Sequence, residues 1–69
     1  MKKKPPTTGQ RIHAARKGAG LSQRELCELS GVAQNGICEA ENDQRELDNA
    51  NIKRLAAVLG CEWKDLLAD

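Results

Sequence analysis

The chain has 69 residues, 39% of them hydrophobic and 30% charged, with Trp63 as the only aromatic side chain and a formal net charge of +1. That length holds one small domain with a modest core. The composition is too apolar for a disordered chain and too poor in β-branched and aromatic runs for a sheet protein, so a compact all-α domain is expected.

No apolar run approaches the roughly 18 residues of a membrane span. The opening Met-Lys-Lys-Lys-Pro-Pro is not followed by the apolar stretch of a secretory signal, so a cytoplasmic location without membrane contact is expected. Cys27, Cys38 and Cys61 are odd in number and far apart, matching neither a disulfide framework nor the close ligand pairs of a zinc site. They read as buried or half-buried free thiols, and no metal or cofactor is expected. His13 is the only histidine, and a lone histidine in a chain too short for a deep pocket argues against an enzyme.

The small net charge hides an asymmetry. Residues 1–24 carry seven lysines and arginines and no acid, whereas residues 25–69 carry ten acids against four bases. A polarity of this kind suggests a partner for the basic end, nucleic acid being the first candidate.

Residues 1–8 are basic, contain Pro5-Pro6 and lack apolar periodicity; they read as a flexible arm ending in the helix start signal Thr7-Thr8. The folded domain, residues 9–69, opens with a helix whose Ile12, Ala15 and Arg16 share one face and which Gly18 and Gly20 stop. Ser22-Gln23-Arg24-Glu25 fits a capping box and starts helix two, with Leu26 and Leu29 expected to face the core. That helix ends at Ser30-Gly31, and Val32 returns to the core before helix three starts near Ala33 or Gln34. Two short helices joined by a tight glycine turn form a helix-turn-helix unit. In helix three Ile37 and Ala40 point inward, while Gln34, Asn35, Cys38 and Glu39 lie nearer the outer face.

A polar loop, Asn42 to Glu46, follows. Asp48 or Asn49 can cap helix four, whose Ile52, Leu55, Ala56 and Leu59 form an i, i+3, i+4, i+7 stripe. Gly60 ends it, and Trp63, Leu66 and Leu67 mark a fifth short helix that closes the core.

The segments "RK-x-x-GLSQ-x-EL", "GV-x-Q", "I-x-x-x-EN" and "LA-x-x-LG" occur in order between Arg16 and Gly60. By these elements the chain resembles the lambda repressor/Cro family of helix-turn-helix regulators, also called the XRE family, over residues 9 to 67. The resemblance implies a compact five-helix lambda repressor-like domain and a sequence-specific DNA-binding transcriptional regulator, a phage or mobile-element repressor that binds double-stranded DNA half-sites as a weak homodimer.

Residue by residue, the resemblance pairs Arg16 with Glu41 as an internal ion pair. It places Gln23 where the family touches a DNA phosphate and braces the recognition helix. Gln34 and Asn35 fall where that helix meets base edges, and their amides can pair with adenine N6 and N7. Glu39, with Cys38 beside it, occupies a further base-facing position, where a carboxylate can accept from cytosine N4 but repels phosphate.

Phosphate contacts are then expected from Lys2, Lys3, Lys4, Arg11, Lys17, Arg24 and Arg45 besides Gln23, because affinity in such proteins comes mostly from outside the reading helix. Three departures from the family pattern stand out. Gly36 lies in mid-helix, Asp43 stands where glycine is common, and the loop that follows has Arg45 as its only base.

The alternative is a protein-binding module, an antitoxin or anti-activator, presenting Glu39, Asp43, Glu46 and Asp48 to a basic partner.

Overall fold

The structure, a computed structural model, describes residues 5–68; of the expected arm, residues 1–8, the first four with Lys2–Lys4 lie outside the described residues. Four α-helices are present: α1 (Thr8–Gly18), α2 (Gln23–Ser30), α3 (Gln34–Glu41) and α4 (Asn49–Leu59), followed by a 3-10 turn at Trp63–Leu66. The fifth helix expected from the sequence is therefore only this turn. Its four residues are held by i to i+3 bonds such as Asp65 N–H to Glu62 O, and a segment so short cannot build the α-helical ladder.

Local signals account for most boundaries. The Thr7 hydroxyl accepts from Gln10 N–H while the Gln10 side chain accepts from Thr7 N–H, so α1 opens on a capping box just ahead of Gly9. Ser22 and Glu25 repeat the device at α2. At α4 Asp48, rather than Asn49, is the cap: its Oδ1 accepts from Asn51 N–H at 2.9 Å. Gly31, at φ 77°, makes the left-handed turn between α2 and α3, where its N–H reaches Cys27 O.

α3 packs against α1 and α2, α4 against α2, and the 3-10 turn against both α4 and α1. Ile12, Leu26, Ile37, Ile52, Leu55 and Leu66 are fully buried where these elements meet. Each such side chain stabilises the fold by about 1.5–3 kcal/mol relative to exposure.

Leu29 is a correction to the sequence reading. It is 63% exposed. The inward stripe of α2 runs through Gln23, Leu26, Cys27 and Ser30, the i, i+3, i+4, i+7 set, and Leu29 falls beyond its edge. Leu59 and Trp63 are half-buried, packed against the core from outside.

Gly9 is needed for a close approach that the sequence did not advertise. A Cβ there would overlap the carbonyl oxygen of Ala40 and stand 2.6 Å from Asp43 Oδ1, so α1 and the end of α3 come together only over a glycine.

Candidate nucleic-acid interface

The turn between α2 and α3 sets the two helices so that one face of α3 stays outside the core. Gln34 and Asn35 are exposed at its N-terminus, and Cys38 and Glu39 are half-buried farther along. Asn42 Nδ2 lies 3.7 Å from Cys38 Sγ, a weak contact one turn apart on this outer face. α3 begins without a side-chain cap and without an acid in its first turn, unlike α2. Its first amide groups therefore have no side-chain acceptor, and no carboxylate in that turn competes with an anion.

Behind that face, the inner edge of α3 is tied down by a buried charge cluster. Arg16 Nε and Nη2 donate to the two oxygens of Glu41 at 2.7 and 3.0 Å, and Arg16 Nη1 donates to Leu21 O at 2.9 Å. The side chains are 7% and 3% exposed, so this is the internal ion pair expected for Arg16 and Glu41. Gln23 Nε2 donates to Glu41 Oε1 at 3.2 Å, fastening the start of α2 to the end of α3.

His13, unassigned from the sequence, joins them: its Nδ1 lies 3.0 Å from Glu41 Oε1 and 3.2 Å from Arg16 Nη2. A protonated Nδ1 donates to the carboxylate, whereas an unprotonated one accepts from the guanidinium. The signal for His13 was its place one turn before Arg16 on the same helix face. Burial pushes the Glu41 carboxyl up, but hydrogen bonds from Arg16, His13 and Gln23 outweigh it and hold it below its ordinary value. The bond to Glu41 likewise raises Arg16.

Four of the expected contact residues line one open groove: Lys17 from the end of α1, Gln23 and Arg24 from the start of α2, and Gln34 from the start of α3. Glu25 also borders it, but its carboxylate accepts from Ser22 N–H, a bond that lowers its pKa. Arg24 pairs loosely with Glu28 at 3.5 Å on the exposed surface.

Two other expected phosphate contacts are placed elsewhere. Arg11 Nη1 donates to Leu67 O at 2.8 Å, so the guanidinium is held against the C-terminal segment. Arg45 lies beside Glu39, with Nη2 3.6 Å from Oε1.

The helix-turn-helix family model matches residues 12–66, covering all four α-helices but the start of α1. The chain belongs to the lambda repressor/Cro (XRE) class of helix-turn-helix DNA-binding regulators. Among solved structures, this helix-turn-helix protein is similar to the restriction-modification controller protein C.AhdI from Aeromonas hydrophila. The two share 37% identity over 87% of this chain and 91% of that one, with a TM-score of 0.82. It is also similar to the N-terminal DNA binding domain of SinR from Bacillus subtilis, at 32% identity over 90% and 91% of the two chains and a TM-score of 0.85. The P22 c2 repressor protein, solved with synthetic operator 9T, shares 30% identity over 91% and 96%, with a TM-score of 0.84. No curated protein matches the chain.

These relatives are regulators rather than enzymes. Among the described residues, no group of three His, Cys, Asp or Glu side chains is placed to hold a metal ion, and no helix is long and apolar enough to cross a membrane.

Proposed function

We propose that this protein represses transcription by laying α3 in the major groove of an operator, two copies reading half-sites about one helical turn apart. Gln34 and Asn35 present their amides to base edges, with Cys38 and Glu39 following along the same face. Lys17, Gln23 and Arg24 meet the phosphates that flank the major groove, and Lys2–Lys4 add a sequence-independent attraction.

The observation that carries this reading is the convergence of Lys17, Gln23, Arg24 and Gln34 on one groove beside the uncapped start of α3. The acids of α3 do not oppose it: Glu41 is consumed inside the domain by Arg16, and Glu39 faces Arg45.

The test is a fluorescence anisotropy titration against the DNA just upstream of the protein's own gene, with scrambled DNA as control, at low and moderate salt. Tighter binding to the upstream DNA, with Gln34→Ala relaxing choice at one base position by about 1–3 kcal/mol, is the expected result. Equal binding to both DNAs would remove the reading role from α3.

A second reading is a protein partner for the exposed acidic loop around Asp43, Glu46 and Asp48. SinR, solved in a SinR/SinI complex, supports it at 31% identity, although this chain spans only 62% of the length of that one. A folded protein that binds neither DNA would favour this second reading.

A further inference from the structure

α3 is held along both edges. On one edge Gln23 reaches Glu41, and on the other the loop that leaves the helix brings Arg45 back to Glu39. That return is built by the backbone. Asp43 N–H reaches Ala40 O at 3.1 Å and Gln44 N–H reaches Glu39 O at 2.8 Å, with Asp43 at φ 60° in the left-handed region; this is a Schellman closure with aspartate where glycine is usual. Gly36, one turn before Glu39, is buried beneath the returning loop, and a Cβ added there would lie 3.7 Å from both Arg45 Nη1 and Leu47 Cδ2, in ordinary contact. The guanidinium thus rests against the flank of α3 between Gly36 and Glu39.

Stability does not explain the pair. Its side chains are 53% and 38% exposed and its 3.6 Å separation exceeds a hydrogen bond, so its contribution to folding is small. Its effect is on charge and direction: Arg45 cancels the one carboxylate on the outer face of α3 and engages Oε1, leaving Oε2 to accept.

We propose that Arg45 is a positioning residue for sequence choice, holding Glu39 so that its carboxylate accepts from the exocyclic amino group of a cytosine in the major groove. The inference rests on the DNA-reading assignment above and gives Arg45 a task other than phosphate contact. Each half-site then carries a required C·G pair beneath Glu39. A carboxylate can only accept, whereas guanine presents N7 and O6 and thymine presents O4, all acceptors themselves. Adenine offers an amino group, but its neighbouring N7 acceptor repels the carboxylate, so cytosine N4 is the better partner.

The test is binding selection from a half-site library randomised at every position, followed by anisotropy at two salt concentrations, for the wild type, Glu39→Gln and Arg45→Ala. Urea midpoints check that each variant is folded. The wild type should lose about tenfold or more in affinity when one particular cytosine is replaced. Glu39→Gln should shift the preference at that position toward adenine, which an amide can pair with through both N6 and N7. Arg45→Ala should flatten the preference there and leave other positions and the salt slope unchanged.

If Arg45→Ala instead weakens all sequences alike and lowers the salt slope by about one, Arg45 is a phosphate contact and the proposal fails. An unchanged base preference in Glu39→Gln overturns it as well, while leaving the DNA-reading assignment intact. A wild type that selects no sequence overturns both.

Discussion

At Glu41 a single carboxylate oxygen, Oε1, lies within hydrogen-bond distance of Arg16, His13 and Gln23, while Oε2 takes the shortest bond of the cluster from Arg16 Nε. The carboxylate is buried, so its value lies in being paired. Glu41→Gln or Arg16→Met should each destabilise the domain by about 3–5 kcal/mol, because either strands a buried charge, whereas the double variant should cost less than the two single costs combined. Urea unfolding of the four proteins measures this coupling. The lowered pKa of Glu41 also sets a pH dependence: the unfolded chain binds the proton more readily, so the stability from Glu41 is fully present above the ordinary carboxylate range. It is lost as pH falls through the lower folded value, and the acid limb of a urea-midpoint profile should be shallower in Glu41→Gln. The family resemblance identified this pair and the bracing role of Gln23. It was silent on His13: the i+3 spacing to Arg16 is local, but its contact with Glu41 spans 28 residues and exists only when α3 is folded against α1.

Among the elements, α3 is the least secure by itself. It has eight residues, no side-chain cap and a glycine in its third position, so tertiary packing and the bonds of Arg16 and Gln23 to Glu41 must hold it. Two glycine substitutions separate local from tertiary causes. Gly36→Ala should stabilise the domain by up to about 1 kcal/mol, since the added Cβ meets Arg45 and Leu47 at ordinary contact distances of 3.7 Å and helix propensity improves. Gly9→Ala, in an equally helical setting, should destabilise it by about 1–3 kcal/mol or more, because backbone of the α3 terminus must move aside. Thermal unfolding of both variants gives the two signs. The capping box of α2 and the stripe of α4 could be read from sequence because their partners lie within four residues. The placement of Leu29 could not: the stripe that a short helix buries is chosen by the direction of its neighbours, and two candidate stripes through Leu26 differ only in which neighbours they meet.

For the whole molecule, the division of charge along the chain becomes a division in space only in part. Lys17 and Arg24 reach the groove beside α3, but Arg11 closes the domain by binding the C-terminal carbonyls and Arg45 turns to Glu39. On the proposed DNA-reading assignment, fewer fixed cations are left for phosphates than the sequence suggests, and Lys2–Lys4 are expected to carry more of the electrostatic attraction. Deleting those three lysines should weaken binding to all DNA alike and reduce the salt slope by up to about 3, near 0.9 for each phosphate no longer neutralised. Titrations at several salt concentrations would show this, and an unchanged slope would make the arm irrelevant to binding. By itself the sequence determined the helical class, the helix-turn-helix unit, the capped starts of α2 and α4 and the outward placing of Gln34 and Asn35 on α3. Each of these depends on residue type and on partners a turn or less away, or on an ordered set of motifs. Only the tertiary structure decided which partner each guanidinium takes. A guanidinium is claimed by whichever carboxylate or carbonyl the packing brings within reach, and for Arg11, Arg16 and Arg45 those partners are set by how the helices and the loop after α3 fold together.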